Sequence, residues 1–292
     1  MSRNILAIIV TYNPDSIRLN ALLNSLQGQV DAIVIVDNGS TANVASMIVS
    51  KHLLSVQLIE LGANLGIAAA HNCGISFARE QGYRNIIIFD HDSVAHPGMV
   101  RTLLAAAESK ISKGEQVAAI GPNLIDERLG KGTHFENGRW GEPKEGLVRV
   151  DHVVSSGCMI PVAALDLVGD MRSELFIDYV DTEWCLRARA KGLYCYGAIN
   201  ARMSHEFGEP LYVFGRAFAA HSPMRHYYIF RNSIWLWRQN WISIRWRFRA
   251  GLRTVLRLGF SVIFAKPRLL QWKMMWRGIR DGVIGKLGKG HE

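Results

Sequence analysis

The sequence predicts an α/β fold, a mostly parallel central sheet flanked by helices, followed by a C-terminal basic, Trp-rich helical extension. Three observations carry that reading. Nearly continuous apolar runs alternate with helix-spaced segments over the first ~120 residues, the pattern of a sheet buried on both faces. Polar and acidic residues gather where those runs end, which is where open α/β sheets bind ligands. The composition then shifts: Arg216 to Glu292 holds 16 Lys and Arg against 2 acids, a net of +14, and the rest of the chain holds 18 against 23, a net of −5. Six of the eight tryptophans also lie after residue 216, so two regions with different tasks are expected and a uniformly basic nucleic-acid binder is not.

In chain order, "ILAIIV" is the first strand, too short an apolar run for a signal peptide. "PDSIRLNALLNSL" is a helix opened by Pro14 and Asp15. "AIVIVD" is the second strand; the loop "NGST", a helix and the third strand "VQLIEL" follow. "AAAHNCGISFAREQG" has helical spacing and stops at Gly82, and "NIIIF" is the fourth strand. Beyond it come a strand "VAAIGPNLI", a polar loop through Trp140, the stretch "VRVDHVVSSGCMIPV", and a helix in "YVDTEWCLRARAKG" ended by Gly192. The four cysteines form no C-x-x-C pair, which favours reduced thiols in a cytoplasmic protein over disulfides or a zinc site.

The fourth strand ends in "FDHDS". Asp90 and Asp92, two apart in extended chain, share a face, and His91 points to the other. Two like charges on one face repel unless a cation lies between them. Aspartates also close strands by chance, but this pair sits at a carboxyl end, where hard oxygens suit Mg²⁺ or Mn²⁺ bridging to a diphosphate. Asp37 in "VDNGS" is either an Asx turn or an acceptor for a base N–H. "GANLGIAAAHNCGI" places Asn64, Gly66 and Asn72 around a helix start, as a plain loop or as a backbone edge approaching a nucleotide sugar. "FIDYVDTEWCLRARAKG" gathers Asp178, Asp181 and Glu183 beside Trp184, either as a solvated acidic face paired with Arg187 and Arg189 or as a catalytic cluster.

The order of these motifs resembles family 2 inverting glycosyltransferases of the GT-A fold, especially bacterial rhamnosyltransferases of O-antigen and related polysaccharides. "IIVTYNP", "VDNGS", "NLGIAAAHNCGI", "DHDS", "SSGCMIP", "FIDYVDTEWCLRARAKG" and "HEFGE" carry the resemblance over about residues 5–210. It implies a catalytic domain over 1–215, with a nucleotide-sugar-binding half (1–118) and an acceptor-binding half (119–215), then a helical membrane-associating region at 216–292. It implies base and ribose contacts at Thr11, Tyr12 and Asp37, with Asn64, Gly66 and Asn72 on the same ligand. Asp90 and Asp92 would meet ribose, metal and diphosphate; Asp92 and His205 would ligate Mg²⁺ or Mn²⁺. Asp181 would be the catalytic base, with Asp178 and Trp184 toward the acceptor. The family often has a second acid directly before the base; here that position is Val180. The donor implied is dTDP-L-rhamnose, with a UDP-hexose or UDP-galactofuranose as the rival, and the acceptor a polyprenyl-diphosphate-linked oligosaccharide.

The chemistry needs few groups. An acceptor hydroxyl loses its proton to a positioned carboxylate as it attacks C1, and in-line displacement inverts the centre without a protein nucleophile. No G-x-S-x-G or other triad signature is present. A D-x-D phosphatase would carry its motif on the first strand, which here ends Thr-Tyr-Asn-Pro. In the tail, Trp237, Trp241, Ile244, Phe248, Leu252 and Val255 fall at helical steps, with Arg231, Arg238, Arg245 and Arg249 alongside. That stripe either packs on the catalytic domain or lies in an anionic membrane surface, and no apolar run approaches the ~20 residues of a span. The expected location is the cytoplasmic face of the inner membrane, peripherally attached. No nucleic-acid partner is expected, and homo-oligomerisation is left open. A non-enzymatic membrane-binding module would leave the acidic cluster without a task.

Overall fold

The computed structural model describes residues 3–48, 55–126, 131–132, 143–205, 210–213, 216–219, 221–264 and 267–290. The chain forms β1 (Ile5–Thr11), α1 (Ser16–Ser25), β2 (Ala32–Asp37), β3 (Ser55–Glu60), α2 (Ile67–Glu80), β4 (Asn85–Asp90) and β5 (Val94–Ala95). It continues through α3 (Met99–Ser112), β6 (Val117–Asp126), β7 (Lys131–Gly132), β8 (Leu147–Val150), β9 (Cys158–Pro161), α4 (Val162–Val168), α5 (Val180–Ala190) and β10 (Tyr194–Ser204). A two-stranded ribbon, β11 (Pro210–Val213) and β12 (Arg216–Ala219), leads to α6 (Pro223–Trp237), α7 (Ile244–Phe264) and α8 (Arg268–Ile284). Between β2 and β3, where a helix is expected, the described residues hold a 3₁₀ turn, Val44–Met47. The polar loop through Trp140 lies outside the described residues, as do Glu206 to Glu209 of "HEFGE".

The main sheet runs β3-β2-β1-β4-β9-β6-β10-β5. Its first four strands are parallel, β6 and β10 are parallel, and β9 joins the two groups antiparallel to both β4 and β6. Alternation along each strand feeds two cores. Leu6, Ile8, Val34, Val36, Ile86 and Ile88 meet α2 and Trp184 of α5 on one face; Ala7, Ile9, Ile33, Ile35, Ile87 and Phe89 meet α1 and α3 on the other. Register pairs Thr11 with Asp37, Asp37 with Glu60 and Val10 with Asp90, so the carboxyl ends of the strands come level. Parity places Asp90 on the α5 face, with Ile86 and Ile88.

One histidine in this core has no polar company. His71 of α2 is buried, neither ring nitrogen has a hydrogen-bond partner, and desolvation pulls its pKa from 6.5 down to about 4. Between those values the unfolded chain binds the proton and the folded chain does not, so stability is lost as pH falls from 6.5 toward 4. This residue should cost about 3 kcal/mol by pH 4. Urea unfolding across that range checks it: His71→Leu should flatten this part of the profile, and an unchanged slope would contradict it.

The C-terminal helices are bound into the catalytic half rather than appended to it. Helices α6 and α8 approach so closely that a Cβ at Gly278 would lie 2.4 Å from the Tyr227 carbonyl oxygen. The Tyr227 hydroxyl donates to Asp281 at 2.9 Å across the same contact. Arg231, expected along the outer stripe, is instead fully buried and donates to the carbonyls of Leu175, Glu174 and Gly288. The stripe itself is not one helix: α6 ends at Trp237 and α7 begins at Ile244. On α7, Ile244 and Phe248 are each 72% exposed, and Leu252 and Val255 are also exposed. Arg245, Arg249, Arg253 and Arg257 stand exposed among them. No helix among the described residues is long and apolar enough to cross a membrane.

Candidate active site

Asp90 at the end of β4, Asp92 two residues on, and His205 just past β10 converge, with one ligand atom from each lying within 4.8 Å of the others. The sheet brings His205 here because β10 pairs β6 in parallel, and His205 N–H donates to the Ile125 carbonyl at 3.0 Å. Two serines tie the three strand ends together. The Asp90 N–H donates to Ser156 Oγ at 3.1 Å, Ser156 Oγ lies 2.8 Å from Ser93 Oγ, and Ser93 Oγ lies 3.0 Å from His205 Nδ1. Both serines are buried. Desolvation pushes the Asp90 carboxyl above its ordinary pKa; His205 opposes the shift, and Asp92 and, more weakly, Asp181 add to it. Two carboxylates and an imidazole make a donor set of hard oxygens and one nitrogen, which fits Mg²⁺ or Mn²⁺. A histidine held through one ring nitrogen ligates through the other.

Asp181 lies in the first turn of α5, half-buried, its Oδ1 accepting from Thr182 N–H at 2.6 Å and Thr182 Oγ at 3.3 Å. The turn before it is unusual: Phe176, Asp178 and Tyr179 all have positive φ, of 66°, 61° and 64°. Left-handed non-glycine residues cost of order 1–3 kcal/mol each and persist only where their surroundings hold them. Here α6 holds them, because the buried Asn232 Nδ2 donates to the carbonyls of Leu175, Ile177 and Asp178 at 3.0, 2.8 and 2.8 Å. Asp178 therefore stands on this turn and not on the helix, in an ion pair with Arg225 at 3.3 Å; desolvation raises its pKa and Arg225 opposes the rise. Glu183 is fully buried between Arg187 at 2.9 Å and Arg172 at 3.5 Å, so the solvated acidic face does not form.

The remaining expected ligand residues part company. Tyr12, just past the end of β1, is exposed. Thr11 is buried and donates to Asp37 at 2.8 Å, and Asp37, itself buried, also accepts from Ser40 N–H and Ser40 Oγ, closing the Asx turn. Asn64 Oδ1 accepts from Asn38 Nδ2 and Gly66 N–H. Three of the expected residues are engaged within the fold itself. Gly66, at φ 92°, is covered by Phe176: a Cβ there would lie 2.7 Å from that ring and carbonyl, so its freedom serves packing of the acidic turn. Asn72 spends its amide on Met171 and Ser173, stapling the segment before that turn. Trp184 is buried and donates Nε1 to the Gly169 carbonyl at 2.8 Å, inside the core.

Ser93, Ser156, Asn232 and Arg231 are the supporting residues that motif reading does not find. Ser93 and Ser156 lie inside quoted motifs, yet serine in a turn carries no distinguishing signal.

Comparison with known proteins agrees with this geometry. The glycosyl transferase family 2 model matches residues 6–149. The dTDP-rhamnosyl transferase RfbF of Shigella flexneri is 32% identical over 99% of both chains. The chain belongs to glycosyl transferase family 2. As a family 2 glycosyltransferase it shares its fold with structures far less similar in sequence. S. aureus TarS 1–349 in complex with UDP-GlcNAc is 16% identical, with TM-score 0.58 over 96% of this chain and 80% of that one. GalNAc-T7 with UDP, GalNAc and Mn²⁺ is 13% identical, with TM-score 0.58 over 90% of this chain and 58% of that one. The fold is thus GT-A-like, and the family 2 enzyme spans 44% of the longer TarS chain.

Proposed function

We propose that this family 2 enzyme is an inverting rhamnosyltransferase that takes L-rhamnose from dTDP-L-rhamnose. The observation that carries the reading is the meeting of Asp90, Asp92, His205 and Asp181 at one end of the sheet, in a chain aligned end to end with a dTDP-rhamnosyl transferase. Asp181 takes the proton of the acceptor hydroxyl as that oxygen attacks C1, and the nucleoside diphosphate leaves from the opposite face. Asp90, Asp92 and His205 would hold a divalent ion, whose charge stabilises the departing diphosphate when bound. Asp37, bonded to Thr11 at the level strand ends, would accept from the nucleobase in this reading.

A donor panel in thermal-shift format, with Mg²⁺ or Mn²⁺ present, tests the donor. A ligand at a hundred times its Kd stabilises by about 2.7 kcal/mol, so dTDP-L-rhamnose should raise Tm most. The solved relatives that hold UDP or a UDP sugar make UDP-hexoses and UDP-galactofuranose the controls. A larger shift with one of those would replace the donor assignment.

The acceptor in this proposal is a polyprenyl-diphosphate-linked oligosaccharide of O-antigen or related polysaccharide synthesis, met at the cytoplasmic face of the inner membrane. The exposed apolar row of α7, its interleaved arginines, and exposed Leu269, Trp272 and Trp276 on α8 support peripheral attachment to an anionic surface. Vesicle binding should require acidic lipid and weaken with salt. Equal binding to neutral vesicles in high salt would remove the electrostatic part.

A further inference from the structure

A cavity of about 250 Å³ lies against the acidic turn, on the side where α7 crosses it. It is smaller than the ~300–1,000 Å³ of pockets that take a whole small ligand, so it has room for one group of a larger molecule. Its walls include Asp178 from the turn, Thr182 from the start of α5, Arg253 and Arg257 from α7, and His152 and His221. The two arginines are four apart and share one helix face. Arg257 makes no hydrogen bond or ion pair with a described residue, although its charge reaches Asp178. Among the described lining residues Asp178 is the one carboxylate, and Arg225 already engages it at 3.3 Å. His221 adds a buried Nδ1 with no hydrogen-bond partner. The cavity is therefore cationic, and the Arg257 guanidinium and His221 Nδ1 make no hydrogen bond to a described residue there.

Its position relates it to the chemistry. Asp181 acts electrostatically on Asp90 on one side and on Asp178 on the other. The base is thus close both to the metal-type cluster, where a donor diphosphate belongs, and to this cationic cavity, whose wall includes the very next residue, Thr182. Helix α7 supplies the two arginines from one face and presents Ile244, Phe248, Leu252 and Val255 to the outside from another.

We propose that this cavity binds the diphosphate that joins the acceptor sugar to its lipid, with Arg257 and Arg253 as the anion ligands. The proposal rests on the lipid-linked acceptor reading above. It makes α7 a bridge between the lipid surface and the catalytic base, and it keeps the reacting sugar close to the diphosphate. The reaction supplying the acceptor is then one that installs a sugar phosphate on a lipid phosphate.

Calorimetry on the full chain in EDTA, which keeps anions from binding through a metal at Asp90 and Asp92, tests it with farnesyl diphosphate, farnesol and inorganic pyrophosphate. Farnesyl diphosphate should bind, farnesol should not, and pyrophosphate should bind more weakly. Arg257→Ala should weaken farnesyl diphosphate by about tenfold or more, with Arg257→Lys between. Arg249→Ala, an exposed arginine on the same helix outside the cavity, should change it less than about twofold. Equal losses in Arg249→Ala and Arg257→Ala would reduce the effect to the charge of the helix surface and overturn the site. So would unchanged binding in Arg257→Ala, or pyrophosphate binding as tightly as farnesyl diphosphate, which marks a free-anion site. The dTDP-L-rhamnose thermal shift, measured separately with Mg²⁺, tells the two readings apart: its loss sinks the donor assignment whatever the cavity binds, and its survival alongside an indifferent Arg257→Ala sinks only the cavity.

Discussion

Asp181→Asn is expected to abolish sugar transfer while the protein stays folded and keeps its donor affinity within a few-fold. Loss of a general base costs 10²–10⁴-fold, or about 3–5 kcal/mol of barrier. The substitution is nearly isosteric, and the Thr182 N–H and hydroxyl that Oδ1 accepts can be kept by the amide oxygen. What goes is the basicity of Oδ2, which has no partner among the described residues. The neighbours give contrasting outcomes. Glu183→Gln leaves Arg187 and Arg172 facing a neutral group in a fully buried site, so it should lower stability by about 3–5 kcal/mol. Asp178→Asn loosens an ion pair with Arg225 and should change the acceptor KM more than kcat. Single-turnover transfer with saturating donor, paired with melting curves, separates the three. Near-normal kcat in Asp181→Asn, with its collapse in Asp178→Asn, would move the base to Asp178.

Much of the nucleotide-side architecture was legible because its strands are buried on both faces. "ILAIIV", "AIVIV" and "IIIF" are apolar at every position, as strands of a parallel sheet between two helical layers are. The same logic places Asp90, on the face of Ile86 and Ile88, whereas Asp92 lies in the turn after β4, where Ser93 N–H donates back to the Asp90 carbonyl at 3.2 Å and strand alternation no longer applies. His205 is different: 112 residues separate it from Ser93, its partner, so the resemblance alone names it and no local pattern does. Periodicity reports which face a residue occupies and not what stands opposite. Arg231 keeps step with the α7 arginines in sequence, yet it meets backbone carbonyls of the acidic turn and is buried. The break between Trp237 and Ile244 is equally silent, because "RQNWIS" holds neither glycine nor proline. Asn72 and Trp184 carry the right chemistry for ligand contacts, and tertiary hydrogen bonds absorb it. The strained run Phe176, Asp178, Tyr179 has no glycine to announce it, and its support comes from Arg231 and Asn232, more than fifty residues on.

Removal of the divalent ion is expected to have the next largest effect. Transfer by EDTA-treated protein should fall by about a hundredfold or more, corresponding to about 3 kcal/mol of lost stabilisation of the departing diphosphate, and Mg²⁺ or Mn²⁺ should restore it. Asp92→Asn should reproduce the loss and resist rescue, because one of three converging ligands is gone. Stability should move the opposite way from activity. Without metal, Asp90 and Asp92 repel, and the raised Asp90 carboxyl records that repulsion on top of its burial. Asp92→Asn removes one of the two charges, so the metal-free variant should melt at or above the metal-free wild type. Added Mn²⁺ should then raise Tm in the wild type by mass action, raise it less in His205→Ala, and leave Asp92→Asn nearly unmoved. A structural carboxylate pair with no metal would give the reverse: a lower Tm for Asp92→Asn and no response to Mn²⁺ in either protein. Transfer undiminished in EDTA would rule out the metal role directly, and Asp90 and Asp92 would then have to act on the donor through hydrogen bonds to its ribose.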